Sequence, residues 1–154
     1  MTPIERVQDF LALKRFAFVG VSRDAQDFSR SLFREFLAKG YDAVPVHPDA
    51  SVLEGRPCFA HLADIQPPVD AVLFMTPPAV TDALVKECPA VGITRVWMYR
   101  AAGAGSATPE TIRFCEDHGI SVVPGECPFM FFSGQPWYHR VHGFVRKITG
   151  SYPH

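Results

Sequence analysis

Short apolar runs alternate with amphipathic stretches along most of the chain. The run FAFVGV at 16–21 is continuously apolar, which is typical of a strand covered on both faces. The stretch 29–39 repeats apolar residues at helical spacing, and Gly40 stands where such a helix ends. The same two patterns recur, and they predict helices over 3–13, 29–39, 80–87 and 109–118 and strands over 16–21, 41–46, 69–75, 95–98 and 120–123.

Repeated strand–helix units of this length predict the fold class. Such units form a parallel sheet, and their crossovers are right-handed in nearly all known cases. We therefore expect a Rossmann-like α/β fold with three α/β/α layers, in which a mainly parallel five-stranded sheet carries helices on both faces. Segment 55–59 is predicted to be a short extra strand or an extended arm.

The C-terminal part of the chain follows a different pattern. Proline, glycine and aromatic residues dominate from Pro124 to Trp137, and a last helix is predicted over 138–148. We do not interpret this change as a boundary between domains. We therefore interpret 1–154 as one domain, with an N-terminal helix within 1–14 and a C-terminal extension over 124–154.

The composition narrows the class of protein. Of the 154 residues, 47% are hydrophobic and 20% are charged, and the formal net charge is −1. These values are ordinary for a globular protein, and the near-neutral charge argues against a nucleic-acid partner. Apolar runs stay far below the ~18 residues that cross a bilayer, so no membrane partner is expected. Charged residues interrupt the N-terminus, which argues against a secretory signal.

The turn after the first predicted strand has the features of a phosphate-binding site. Gly20 allows a tight turn and a close approach of ligand, and Ser22 offers a hydroxyl donor. The following helix supplies unpaired amides and the positive end of its dipole. Arg23, Arg30 and Arg34 add positive charge, and the guanidinium group suits phosphate oxygens. The alternative is that the glycine simply makes a tight turn.

A nicotinamide cofactor fits the sequence less well. Its usual fingerprint is Gly-x-Gly-x-x-Gly, with an acidic residue at the end of the second strand to bind the ribose. Here Ser22 replaces the second glycine, and no third glycine follows. The second strand ends Val46-His47-Pro48, and Asp49 lies beyond the proline. NAD(P) is therefore disfavoured.

The order and spacing of several short motifs resemble one known family. FAFVGVS at 16–22, GYDAVPVHP at 40–48, MTPP at 75–78, VWM at 96–98 and VV at 122–123 followed by Cys127 resemble the CoA-binding domain family. That family is also similar to the CoA-binding lobe of the succinyl-CoA synthetase α-subunit. The resemblance covers residues 10 to about 130 and implies a coenzyme A or acyl-CoA ligand.

The resemblance also implies which residues bind the ligand. In the family the Gly-x-Ser turn contacts the CoA phosphates, the Val-x-Pro segment lines the adenine, and the Pro-Pro turn touches the pantetheine or diphosphate. Carried over, and with Arg23 from the charge argument, the cofactor-binding residues are Gly20, Val21, Ser22, Arg23, Ser29, Arg30, Val46, His47, Pro48, Thr76, Pro77 and Pro78.

Two positions depart from the family's pattern. The family often has a lysine soon after its Asn-Pro, where it meets a phosphate, but this chain has Asp49 there. The glycine loop after the fourth strand reads Tyr99-Arg100-Ala101-Ala102-Gly103. A degenerate pocket in a regulatory interaction module is therefore one alternative function.

The cysteines and the late histidines are the candidate reactive or metal-binding side chains of the chain. The four cysteines form no Cys-x-x-Cys pair, which favours free thiols and a cytoplasmic location. Cys127, His139 and His142 have the residue types of a zinc site, but packing or surface roles are favoured, so no metal is predicted. The apolar run 129–132 is interpreted as core cover or as the surface of a homodimer.

The leading hypothesis is a non-catalytic module that binds coenzyme A or an acyl-CoA. The related ligases also need a phosphorylated histidine and a nucleotide-hydrolysing domain, for which this fold leaves no room in 154 residues. No catalytic residue is therefore assigned. The alternatives are an NAD(P)-dependent oxidoreductase-like protein and the regulatory module.

Overall fold

The structure is a computed structural model, and it describes residues 3–99 and 107–124. Within these ranges the helices are α1 (Pro3–Ala12), α2 (Phe28–Ala38), α3 (Pro78–Val85) and α4 (Pro109–Asp117). The strands are β1 (Arg15–Val19), β2 (Asp42–Val46), β3 (Val52–Leu53), β4 (Arg56–Pro57), β5 (Ala71–Phe74), β6 (Arg95–Met98) and β7 (Ser121–Pro124). Short 3₁₀ turns lie at Leu62–Asp64 and Pro89–Val91.

Five of the strands form one parallel sheet in the order β2-β1-β5-β6-β7. The remaining two strands, β3 and β4, form a small antiparallel hairpin, which follows β2 and precedes β5 along the chain. The fold is therefore Rossmann-like α/β, as the alternation of runs predicted. β1 lies between β2 and β5, so the chain reverses its direction across the sheet after β2.

The side chains of β1 alternate between two cores, one on each face of the sheet. Phe16 and Phe18 pack with α1 and α2, whereas Ala17 and Val19 pack with residues of α3 and α4. Burial on both faces explains why the strand is continuously apolar. This arrangement confirms the prediction of helices on both faces.

Some element boundaries differ from the sequence-based prediction. β1 ends at Val19 and not at 21, because Gly20 turns the chain away from the sheet. β5 is shorter than predicted at both ends. α3 begins at Pro78, two residues before the predicted start, because a proline is well suited to the first turn of a helix. Segment 55–59 does contain a short strand, β4.

The helices are short, and the C-terminal predictions fall outside the described ranges. None of the helices in the described ranges is long and apolar enough to span a membrane. The predicted helix over 138–148 and the C-terminal extension beyond Pro124 lie outside the described residues, and the one-domain interpretation stays a prediction.

Candidate functional site

A cleft of about 680 Å³ opens at the carboxyl ends of β1, β2 and β5. This volume lies within the range usual for small-molecule sites. Its lining comes from the ends of these strands, from the segment before the first 3₁₀ turn and from one side of α3: Val19, Gly20, Val21, Ser22, Val46, His47, Pro48, Ala60, His61, Leu62, Thr76, Ala79, Val80, Ala83 and Leu84.

The topology places the cleft at the switch point of the sheet. The connection from β1 packs α2 on one face, and the connection from β5 packs α3 on the other. Neighbouring strands whose connections leave in opposite directions create a crevice beyond their carboxyl ends, where ligands bind in open α/β sheets. β1 and β5 are such a pair, because they are adjacent in the sheet.

Gly20 begins the β1–α2 turn (residues 20–27) in a backbone conformation that favours glycine. Its φ is +105°, and a Cβ there would lie 2.3 Å from the carbonyl oxygen of Met75. The glycine is therefore required for β1 and β5 to approach each other at this edge. Its presence is explained by the fold, so by itself it says nothing about a ligand.

Ser22 lines the cleft, and both its amide and its hydroxyl are engaged within the turn. The amide donates to Ser29 Oγ at 2.9 Å, and the Ser22 hydroxyl accepts from the amide of Asp24 at 3.0 Å. Ser29 is 3% exposed and does not line the cleft. The structure thus gives Ser29 the role of closing the turn, although it was predicted to bind ligand.

The start of α2 is capped by an acidic side chain. Asp27 is the N-cap, and its carboxylate accepts hydrogen bonds from the hydroxyl and the amide of Ser29. These bonds lower the pKa of Asp27, the hydroxyl having the larger effect and burial opposing it. Unpaired amides were expected here as donors to a phosphate. That expectation was wrong for the Ser29 amide, because the chain supplies its own anion.

Arg30 was predicted to meet a phosphate, but it lies outside the cleft lining and forms a partly buried ion pair with Glu54. It is 9% exposed, and its Nε donates to Glu54 at 3.1 Å. Arg34 joins the same carboxylate at 3.3 Å. Hydrogen bonding from Arg30 lowers the pKa of Glu54 most, burial opposes it, and the charges of both arginines add to the lowering. Arg23 is exposed and does not line the cleft.

Val46, His47 and Pro48, at the end of β2, were predicted to line the adenine of the ligand, and all three are in the cleft lining. The Nδ1 atom of His47 accepts from the amides of Asp49 and Ala50, each at 3.0 Å. An accepting Nδ1 carries no proton, so in the neutral imidazole the proton is on Nε2. His47 therefore fixes the turn that follows β2 and keeps one ring donor.

The segment after β5 contributes only one of its three predicted residues to the cleft lining. Thr76 lines the cleft, and its Oγ1 lies 2.6 Å from Oγ1 of the buried Thr81. Pro77 and Pro78 form the N-cap and first residue of α3 and lie outside the lining. Their role in this structure is to begin the helix that forms one wall.

Much of that wall was missed by the sequence analysis. Val80, Ala83 and Leu84 have the spacing of one helical face, a signal that was used only to predict a helix. Val80 is 42% exposed, so this helix face presents a branched hydrophobic side chain to the cleft. Ala60, His61 and Leu62 follow the hairpin and carry no motif that local sequence would reveal.

The described lining of the cleft has few ionisable side chains. It contains neither lysine nor arginine, and no carboxylate, so its titratable residues are His47 and His61. Most of the lining is hydrocarbon. A ligand with a large uncharged body would therefore bury more surface here than inorganic phosphate would.

Burial disfavours the reactive thiolate form of the three cysteines in the described residues. Cys88 and Cys115 are buried, and burial raises the pKa of each to about 12. Burial also raises the pKa of the half-buried Cys58. No group of three or more metal-binding side chains occurs in residues 3–99 and 107–124. Cys127, His139, His142 and the apolar run 129–132 lie outside the described residues.

The sheet order and the cleft at its switch point place this chain among the Rossmann-like α/β proteins. More narrowly, it belongs to the CoA binding domain family, whose model matches residues 14–132. Membership supports coenzyme A binding in general. The family resemblance found from the sequence motifs is thereby confirmed.

Solved structures share this fold. A hypothetical protein from Pyrococcus horikoshii OT3 is 23% identical, with a TM-score of 0.74 over 83% of this chain and 87% of that one. A protein from Thermus thermophilus is 26% identical, with a TM-score of 0.69 over 80% and 90%. The dinucleotide-forming acetyl-coenzyme A synthetase 1 of Candidatus Korarchaeum cryptofilum is 22% identical, with a TM-score of 0.62 over 71% of this chain but 25% of the enzyme.

Proposed function

We propose that the cleft at the carboxyl ends of β1, β2 and β5 binds coenzyme A or an acyl-CoA. One observation carries the proposal. Three segments separated by about 25 residues each were assigned to the ligand from short motifs, and residues of all three, 20–22, 46–48 and Thr76, line one cleft. Such convergence at a switch point is the arrangement that ligand sites in open α/β sheets have.

The chemistry of the lining supports a role in binding without catalysis. Among the described lining residues no carboxylate or thiol is present to act as a base or nucleophile. The hydroxyl oxygen of Ser22 accepts from the Asp24 amide, and neither His47 nor His61 is hydrogen-bonded to that hydroxyl. We therefore propose a module that holds the coenzyme for another protein or senses its concentration.

Isothermal titration with CoA, acetyl-CoA, NAD⁺ and NADP⁺ tests the proposal. We expect heat of binding with CoA and acetyl-CoA at one site per chain, and none with the nicotinamide cofactors. Binding of NAD⁺ or NADP⁺ alone would support the oxidoreductase-like alternative. Absence of binding to all four would support the degenerate regulatory module, in which the cleft no longer holds a nucleotide.

A further inference from the structure

Arg30 joins the β1–α2 turn to the β3–β4 hairpin. Its Nη1 donates to the backbone oxygens of Ser22 at 3.3 Å and of Arg23 at 3.1 Å. Its Nε and Nη2 donate to the carboxylate of Glu54 in the hairpin. Because one guanidinium makes both sets of bonds, the position of the hairpin carboxylate fixes the position of the two turn carbonyls.

Glu54 is held in place by the geometry of the hairpin. It has φ +51° and Gly55 has φ +75°, and the two are the central residues between the paired Leu53 and Arg56. Two central residues with positive φ define a type I′ turn, whose twist matches that of the flanking strands. The left-handed region is unfavourable for a residue other than glycine, so the hairpin places the Glu54 carboxylate here in spite of its backbone conformation.

The bond from Arg30 to the Ser22 carbonyl also fixes the orientation of the Arg23 amide, which belongs to the same peptide group. In a trans peptide the N–H of Arg23 points opposite to the C=O of Ser22. That N–H therefore points away from Arg30, and it has no hydrogen-bond acceptor among the described residues. The next amide, of Asp24, is already used by Ser22 Oγ. Arg23 N–H is thus an oriented and unused donor beside a residue that lines the cleft.

We propose that Arg30, fixed by Glu54, is a positioning residue that aims the Arg23 amide at a phosphate oxygen of the bound nucleotide. The inference rests on the proposed function for the identity of the ligand. It changes the role of Arg30 from a phosphate ligand to a support behind the turn. It also assigns the backbone of Arg23, and not its exposed side chain, as the group that binds.

The test uses Glu54→Gln, which keeps the backbone turn and removes the charge. Asp9→Asn is the matched control, because Asp9 pairs with Arg95 at the amino end of β6, whereas the cleft lies at the carboxyl ends of the strands. The two carboxylate side chains are similarly exposed, 29% for Asp9 and 23% for Glu54. Two measurements are made on the full chain: CoA affinity by titration, and the resonance and exchange rate of the Arg23 amide by nitrogen-15 NMR with and without CoA.

We expect CoA to shift the Arg23 amide of the wild type and to slow its exchange. Glu54→Gln should weaken CoA binding about five- to tenfold, and should shift the Arg23 amide resonance of the free protein, whereas Asp9→Asn should change neither. Equal affinity in wild type and Glu54→Gln, or an Arg23 resonance that CoA leaves unmoved, overturns the inference. If the wild type binds no CoA, the proposed function fails, and an Arg23 amide resonance that is unchanged in Glu54→Gln then refutes the positioning as well.

Discussion

Gly20 and Met75 approach so closely that a single carbon added at Gly20 would lie 2.3 Å from the Met75 carbonyl oxygen. The contact is between two backbones, so no side-chain rotation relieves it. It joins the ends of β1 and β5 at the edge of the sheet where the cleft opens.

Gly20→Ala should therefore destabilise the protein by about 2–5 kcal/mol, the sum of backbone strain and overpacking. Gly40→Ala is the control, since Gly40 also has positive φ, +89°, but nothing lies within 4 Å of its missing Cβ. That control should cost about 1 kcal/mol. Urea unfolding measures both, and an equal loss in the two variants would contradict the steric argument.

Ser22→Asp should abolish CoA binding while the protein remains folded. An aspartate oxygen can still accept from the Asp24 amide, as Ser22 Oγ does now, so the turn is preserved. The added negative charge would face the phosphate. Ser51→Asp, at an exposed loop residue outside the cleft lining, adds the same charge and should bind normally. Titration with CoA measures the affinity of both variants. An unchanged affinity in Ser22→Asp would show that the phosphates lie elsewhere.

Ala83→Trp should block the cleft. Ala83 is an exposed residue of α3 that lines the cleft, and an indole there would occupy space needed by the ligand. Ala38→Trp makes the same change at an exposed residue of α2 outside the lining. We expect CoA affinity to fall at least tenfold for Ala83→Trp and to stay unchanged for Ala38→Trp, where tenfold corresponds to about 1.4 kcal/mol. Retained affinity in Ala83→Trp would place the ligand outside this cleft.

The stability that Glu54 provides should depend on pH. Its pKa in the folded protein is below the ordinary value of 4.5, so the folded state favours the charged form. The contribution is therefore complete at pH values above 4.5 and is lost as pH falls through the lowered pKa. Urea unfolding at pH 7 and pH 3 should show a difference between wild type and Glu54→Gln that shrinks in acid. A difference independent of pH would argue against the ion pair.

Cys88 and Cys115 should resist alkylation in the folded protein. With a pKa of about 12, each thiol is almost entirely protonated at pH 8, and neither side chain is exposed. Treatment with iodoacetamide followed by peptide mass mapping should find both unmodified in buffer and both modified in urea. Modification of either in buffer would show that this core opens readily.

The elements of the sheet could be predicted from the sequence because their pattern is local. β6 was predicted with its observed bounds, Arg95–Met98, and the continuous apolar run of β1 already indicated burial on both faces. The sequence also allowed the prediction that the three segments assigned to the ligand lie together, since each follows a strand and the carboxyl ends of parallel strands lie on the same side of the sheet. Val46, His47 and Thr76 lie in the cleft for that reason.

The ion-pair partners of the arginines were decided by tertiary structure. Arg30 looked like a phosphate ligand by its distance along the chain from Gly20, yet it pairs with Glu54, 24 residues away. By contrast, Asp27 accepts from the amide of Ser29, two residues on, and such an N-cap is a local pattern that the sequence itself carries. Apolar periodicity depends on neighbours in sequence, because burial follows the strand or helix period. A charged side chain takes whichever partner the folded chain brings within a few ångströms, and that partner was set here by the return of a hairpin.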